Sequence, residues 1–160
     1  MSDSSWFSHQ LQSSADGLVW SARQVPEARR YLVPPALLGE WSAARHLFHM
    51  FYYEQNFALP SMRQWLGEPG LSRQALKKLD ENAAWSETLE YDKLLGRFQD
   101  VRQAQISLLS KIEPAVWQET SMCVWGEVTL HWVVSKTYQH TAEHTSELLR
   151  IALFWDMAAM

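Results

Sequence analysis

Hydrophobic residues recur at the spacing of one helical face over four long segments of this chain. In the first segment, Leu11 and Leu18 belong to a single apolar stripe. A helix often begins after a side chain that accepts a hydrogen bond from the first backbone N–H groups, and Ser42 fills that position in the second segment. Ser86 or Thr88 fills it in the third segment. The predicted helices cover about residues 6–24, 42–56, 86–113 and 127–160.

Two stretches between these segments lack a regular pattern. From residue 57 to 82, Pro60, Gly67 and Pro69 divide the chain into short helical pieces. Residues 115–126 are interpreted as a loop with one helical turn. No segment alternates apolar and polar residues with period two, so little or no β-sheet is expected. The pattern therefore predicts an all-α fold, a four-helix bundle with short connecting helices, formed by a single domain over residues 1–160.

Composition and charge exclude several classes of function. Of the 160 residues, 47% are hydrophobic, which is enough for the core of one domain. The formal net charge is −4 and no cluster of Lys and Arg is present, which argues against nucleic acid binding. No apolar run approaches the roughly 20 residues that cross a membrane, and the first residues do not resemble a secretion signal. Cys123 is the only cysteine, so no intramolecular disulfide can form and the cytoplasm is the expected location.

Two histidines in the last predicted helix have the spacing of a metal-binding pair. His140 and His144 are four residues apart, so their side chains differ by about 40° in direction and about 6 Å in height. Both border the apolar face of the helix and are expected to point into the bundle, where a metal ion would satisfy a nitrogen that water cannot reach. The alternative is a bundle without metal, in which buried histidines are hydrogen-bonded to Glu or Tyr. A third ligand from another helix would favour the metal.

The second predicted helix offers His46 and His49 as a third ligand. They are three residues apart, so only one of them is expected to reach the point where the last-helix pair meets. The spacing does not choose between them. His131 lies about half a turn out of phase with His140, and His9 has no histidine near it in sequence, so both are expected to be structural or exposed.

Two motifs, in this order, resemble the DinB/YfiT-like family, a bacterial group of four-helix bundles. The first is a Trp-Ser pair that opens the second helix with a histidine eight residues after the Trp, here within residues 41–50, and it selects His49 as the ligand. The second is a His-x-x-x-His in the final helix, here within residues 139–148. Ser146 stands where the family usually has glycine, a departure that removes no ligand.

The resemblance implies a metal site and a class of chemistry. It places one divalent metal ion, such as nickel, zinc or iron, on His49, His140 and His144, with water at the remaining positions. Relatives of this fold resemble thiol-dependent S-transferases, isomerases or metal-dependent hydrolases. The chain is therefore expected to be a metal-dependent enzyme that acts on a small-molecule thiol or another small substrate.

Two residues near the implied ligands are candidates for acid–base chemistry. Tyr53 follows His49 by four residues and Glu147 follows His144 by three, so each could share the face of its ligand. For Tyr53 the alternative, which we favour, is a core aromatic. For Glu147 the alternative is a salt bridge on the flank of the helix. Glu143 is rotated about 100° around the helix from His144. It is therefore expected to be exposed, or to contact a ligand histidine without binding the metal itself.

A non-enzymatic function is the competing hypothesis. The chain would then be a stress-related metal-binding or protein-interaction module, and a homodimer is one expected assembly because two-fold dimers are frequent among helical bundles. Cys123 is expected to be a buried structural thiol.

A cavity that joins solvent to the metal site would favour the enzyme, and a closed site beside an apolar patch would favour the module. Candidates for an interface or a pocket rim are Trp65, Trp85, Trp117 and Trp125.

Overall fold

The computed structural model describes residues 3–160, and most of them are helical. The strands β1 (Thr120–Cys123) and β2 (Gly126–Thr129) form an antiparallel hairpin. No described helix has the length and apolar character needed to cross a membrane. The helices are α1 (Asp3–Gln24), α2 (Ala43–Tyr53), α3 (Leu59–Arg63), α4 (Arg73–Leu76), α5 (Glu81–Ala84), α6 (Tyr91–Leu109) and α7 (Leu130–Ala158).

The long helices enclose a hydrophobic core. Helix α1 packs against α6 and α7, and α2 packs against the same two helices. Each contributes fully buried side chains, such as Leu11, Leu47, Phe98 and Leu148. Burial of one such side chain stabilises the fold by about 1.5–3 kcal/mol. The predicted all-α helical bundle is therefore confirmed.

Helix α2 begins at the predicted residue but continues further than predicted. The side chain of Ser42 accepts a hydrogen bond from the backbone N–H of Arg45, with a distance of 3.2 Å. Instead of ending near Asn56, the helix passes through a π-helical turn, Glu54–Ala58, into α3. Pro60, which has no N–H to donate, lies just after this turn at the start of α3.

Helices α6 and α7 both begin later than predicted. Ser86 does not cap α6, because its hydroxyl accepts a hydrogen bond from the N–H of Thr88 at 3.2 Å and forms a local turn. The helix begins at Tyr91. Helix α7 begins after Thr129, whose side chain accepts a hydrogen bond from the N–H of Trp132 at 3.1 Å. The predicted start near residue 127 was wrong because these residues belong to β2.

The hairpin replaces part of a predicted loop. A 3₁₀ turn, Pro114–Gln118, precedes it and corresponds to the predicted helical turn. The hairpin pairs Thr120 with Thr129 and Cys123 with Gly126. Gly126 has a φ angle of 103°, a conformation that favours glycine, and so lets the chain reverse. Cys123 is half-buried rather than buried, and burial raises the pKa of its thiol.

A buried ion pair connects the long helices. Arg102 on α6 and Glu54 in the π-helical turn are both fully buried and form an ion pair. The same guanidinium donates to the Leu11 carbonyl at 2.7 Å, to the Ser14 hydroxyl at 2.8 Å and to the Thr141 hydroxyl at 2.8 Å. This network joins the end of α2 to α1, α6 and α7. The sequence patterns described above do not predict this network.

Candidate metal centre

Three histidine side chains from two helices meet inside the bundle. His49 lies on α2, and His140 and His144 lie one turn apart on α7. The Nε2 atom of His140 is 3.1 Å from Nε2 of His49 and 3.2 Å from Nε2 of His144. The two histidines of α7 are buried, and the third is half-buried. The structure therefore brings together the three residues that the family resemblance named as ligands.

These separations fit three nitrogens around one metal ion. With metal–nitrogen distances of about 2.0–2.1 Å, two imidazole nitrogens lie about 2.9 Å apart at a right angle and about 3.3 Å apart at the tetrahedral angle. The observed distances of 3.1 and 3.2 Å lie between these values. The three histidines thus form a group that could hold a metal ion.

Hydrogen bonds among the three histidines do not satisfy their nitrogens. Nδ1 of His49 lies 2.9 and 3.0 Å from the carboxylate oxygens of Glu81, which can only accept. Nδ1 therefore carries the proton, and Nε2 presents a lone pair. Nε2 of His140 can donate to only one of its two neighbours, and its Nδ1 is buried without a partner among residues 3–160. A cation between the Nε2 atoms would use the lone pairs that hydrogen bonding leaves unmatched.

Glu81 supports the centre and was not identified from the sequence. It is the first residue of α5, whose N-cap Asp80 accepts a hydrogen bond from the N–H of Ala83 at 3.0 Å. Nη2 of Arg45 lies 2.9 Å from Glu81. Burial raises the pKa of this carboxyl, but the hydrogen bond to His49 and the neighbouring positive charges outweigh burial, so the pKa is lowered. An ionised carboxylate behind a histidine is a common support for a metal ligand.

Burial keeps His140 unprotonated. Burial, and after it the nearby imidazoles of His144 and His49, lowers the pKa of His140 to about 3. This imidazole is therefore neutral near pH 7 and keeps a lone pair that can bind a metal.

His46 also contacts His144, but at the other ring nitrogen. Nδ1 of His46 lies 2.9 Å from Nδ1 of His144. Oε2 of Glu147 lies 2.8 Å from that Nδ1 and 3.1 Å from Nδ1 of His46. Close contact with His144, and then with His46, holds the pKa of Glu147 well below its usual range although partial burial opposes this. The two histidines of α2 thus reach opposite sides of one imidazole, which the spacing did not predict.

Two cavities border His49. One, of about 350 Å³, also contacts His46, and its rim includes the carboxylates of Glu40 and Glu147. The second cavity has a volume of about 430 Å³ and is lined by His49 and by Glu81 beside it. Such openings beside the centre are expected of an enzyme. The second cavity is lined mainly by apolar and aromatic side chains: Tyr53, Phe57, Leu76, Val124 and Trp125.

Tyr53 lines the second cavity and contacts the centre. Its ring meets that of His140 edge-on, with centroids 4.3 Å apart. Its hydroxyl is buried and has no hydrogen-bond partner within the described part of the chain. Burial raises the pKa of Tyr53 well above its usual value, so the hydroxyl stays protonated and can donate a hydrogen bond. The favoured interpretation of Tyr53 as a core aromatic did not predict this position.

The other residues selected from the sequence lie outside this centre. His9, His131 and Glu143 are exposed. The prediction for Trp117 was wrong, because its side chain is buried in the core and stacks on Phe7 with ring centroids 5.3 Å apart. Partly buried tryptophans that pack against the core are Trp65, Trp85 and Trp125.

The sequence matches the model of a known protein family. Residues 10–148 match the model of the DinB superfamily, and this range contains His49, His140 and His144. A search of curated proteins finds no match. The family match covers most of the chain and agrees with the helical fold described above. The chain therefore belongs to the DinB superfamily.

Proposed function

We propose that this protein is a metal-dependent enzyme that binds one divalent cation through His49, His140 and His144. The observation that carries the proposal is the convergence of three Nε2 atoms at separations of 3.1 and 3.2 Å, with lone pairs that hydrogen bonds do not match. Nickel, zinc and iron all bind imidazole nitrogen, so the ligands are compatible with each of them.

The proposed chemistry is activation of a small nucleophile. Three neutral ligands leave the full positive charge on the ion and leave coordination positions open, as in catalytic zinc sites. When bound, such an ion lowers the pKa of water or of a thiol enough to supply a nucleophile near neutral pH. The family resemblance favours a thiol-dependent S-transferase or a hydrolase.

Residues around the centre have separate roles in this proposal. Tyr53 lines the second cavity and packs against His140, and its protonated hydroxyl is the candidate hydrogen-bond donor for a substrate there. Glu147 is a weak general base, because its lowered pKa means that the carboxylate has a low affinity for a proton, and its role is to hold His144. Glu81 orients His49 in the same way.

The second cavity favours a small substrate with an apolar part. Its volume of about 430 Å³ lies in the range of small-molecule sites. Aromatic walls from Tyr53, Phe57 and Trp125 would contact a flat or branched apolar group. The Glu81 carboxylate on the same wall would repel an anionic group at that point.

An interaction module is the second candidate, and an exposed apolar surface favours it. Leu153, Phe154 and Met157, near the end of α7, are 65%, 44% and 70% exposed. A cluster of large exposed apolar side chains is typical of a protein contact, such as a homodimer interface. This function does not require an open metal site.

Elemental analysis of the purified protein without a histidine tag tests the metal proposal. We expect at least one equivalent of nickel, zinc or iron per chain in the parent and none in His144→Ala, because three ligands are needed for tight binding. His9→Ala, which changes an exposed histidine, serves as the control. Thiol-transfer and hydrolase assays of the metal-loaded parent would then identify the reaction.

Absence of metal from the parent after dialysis against several divalent cations would contradict the proposed centre. The exposed surface of α7 would then direct the search towards binding partners. Equal metal content in the parent and in His144→Ala would show that the ion binds elsewhere.

A further inference from the structure

We propose that the protein holds a second divalent cation on the opposite side of His144, bound by Nδ1 of His46, Nδ1 of His144 and Oε2 of Glu147. The second position rests on the proposed three-histidine centre, because His144 belongs to both. Its imidazole would contact one ion through Nε2 and the other through Nδ1.

The three atoms of this second set are arranged like ligands of one ion. The His46 and His144 nitrogens are 2.9 Å apart, and Oε2 of Glu147 lies 3.1 and 2.8 Å from them. Ligands at right angles around an ion with bonds of about 2.0–2.1 Å would lie about 2.9 Å apart. All three separations in this set agree with that value, and the set forms a group that could hold a metal ion.

Hydrogen bonding cannot satisfy this set. The two Nδ1 atoms are placed to share a single hydrogen bond, which requires a proton on only one of them. Oε2 of Glu147 is buried, yet neither nitrogen is aligned to donate to it, and it has no hydrogen-bond partner in residues 3–160. A buried carboxylate oxygen that two nitrogens approach without donating is better satisfied by a cation between the three atoms.

The surroundings of His144 suit a shared imidazole. Its ring lies parallel to that of Trp41, with an interplanar angle of 3° and centroids 6.3 Å apart, which limits its rotation. When the second ion binds, the remaining ring proton of His144 leaves to solvent, so that each ring nitrogen has one lone pair for one ion. The negative charges of Glu147 and Glu81 then lie on the two sides of the pair and offset part of its charge.

An ion can reach the second position from solvent. The cavity of about 350 Å³ is lined by all three members of the set. Glu40 and Trp41 form other parts of its wall. A carboxylate at the entrance favours a cation over an anion.

Counting bound zinc in metal-free, tag-free full-length protein tests this proposal. Equilibrium dialysis should give about two Zn²⁺ per chain in the parent and about one in His46→Gln, because this change removes one of the three ligands of the second position. His49→Gln should also retain about one, and His9→Gln, a matched change of an exposed histidine, should retain about two. Circular dichroism would establish that each variant is folded.

A second measurement tests whether the two ions share one ring. Cu²⁺ in both positions would be coupled through the imidazole of His144. The electron paramagnetic resonance signal of the parent should therefore grow with the first equivalent of Cu²⁺ and fall with the second. In His46→Gln it should reach the level of one equivalent and stay there.

Three results would overturn the inference. One Zn²⁺ in the parent that His46→Gln keeps and His49→Gln loses would remove the second position and leave the three-histidine centre intact. Two Zn²⁺ in both the parent and His46→Gln would place the second ion elsewhere. Two independent Cu²⁺ signals would exclude a shared ring. One ion that His49→Gln keeps and His46→Gln loses would instead retain the second position and overturn the proposed three-histidine function.

Discussion

The position of a single proton decides whether the nitrogen of His49 that faces the candidate metal centre has a lone pair to offer. Both oxygens of Glu81 lie within 3.0 Å of Nδ1, so the proton stays on that side and Nε2 keeps its lone pair. Arg45 holds the carboxylate from behind at 2.9 Å. One short helix thus fixes the protonation of a ligand that lies 32 residues earlier in the chain.

Replacing Glu81 tests this role. In Glu81→Gln the side chain is neutral and no longer favours a proton on Nδ1, so we expect metal affinity to fall by about 10–100-fold with little loss of secondary structure. Competition with a chromophoric chelator would measure the affinity. Glu87→Gln, an exposed glutamate in the following loop, should bind as the parent does. Equal affinity in all three proteins would show that Glu81 does not support the ligand.

The ligand histidines could be found from the sequence because a short spacing and two motifs carry the signal. His140 and His144 lie on one predicted face of α7, and the structure brings them to His49. Glu81 has no such signal, since it belongs to a four-residue helix in a stretch without periodicity. The contact between His46 and His144 depends on the relative rotation of two helices, which spacing within one helix does not determine.

At the scale of elements, the turn that ends α2 shapes the wall of the centre. The π-helical turn begins at Glu54, directly after Tyr53, so one element carries a cavity residue and a buried carboxylate next to each other. π-helical turns are frequent at functional sites because they shift the register of the following residues. Arg102 fixes this turn through its ion pair with Glu54, and it also binds Thr141, the neighbour of His140.

Removal of one partner from this ion pair should be far more harmful than removal of both. Arg102→Met would leave the carboxylate of Glu54 buried and unpaired, and we expect a loss of about 3–5 kcal/mol in the free energy of unfolding. The double variant Glu54→Leu with Arg102→Met should recover much of this loss. Urea denaturation would measure both. Arg97→Met, an exposed change on the same helix, should stay within about 0.5 kcal/mol of the parent.

A pair that acts only through packing would give a different result. The losses of Arg102→Met and of Glu54→Leu, each measured alone, would then add up in the double variant instead of being partly recovered.

The hairpin was not predicted from the sequence because its strands are short. Each strand of the hairpin has four residues, too few for a period of two to be recognised. The long helices, in contrast, bury a continuous stripe and were predicted within a few residues at most ends. Their starts shifted where Ser86 formed a local turn and where β2 preceded α7.

At the scale of the whole molecule, the candidate centre joins two helices that lie far apart in the sequence. His49 comes from α2, and the other two histidines come from α7, and these helices also pack against each other. The unfolded chain does not hold the three nitrogens at their native separation. Binding energy at this centre therefore adds to the stability of the whole fold.

Thermal unfolding should show that metal binding stabilises the fold. At a free metal concentration of 100 times Kd, binding to the folded state alone adds about 2.7 kcal/mol. For a chain of this size, each kcal/mol raises Tm by about 2–4 °C, so we expect an increase of roughly 5–10 °C on addition of Ni²⁺ or Zn²⁺. Differential scanning calorimetry would measure the increase, and a chelator should reverse it. His144→Ala should show no increase, whereas His9→Ala should match the parent. An equal increase in His144→Ala would mean that the stabilising ion does not bind between α2 and α7.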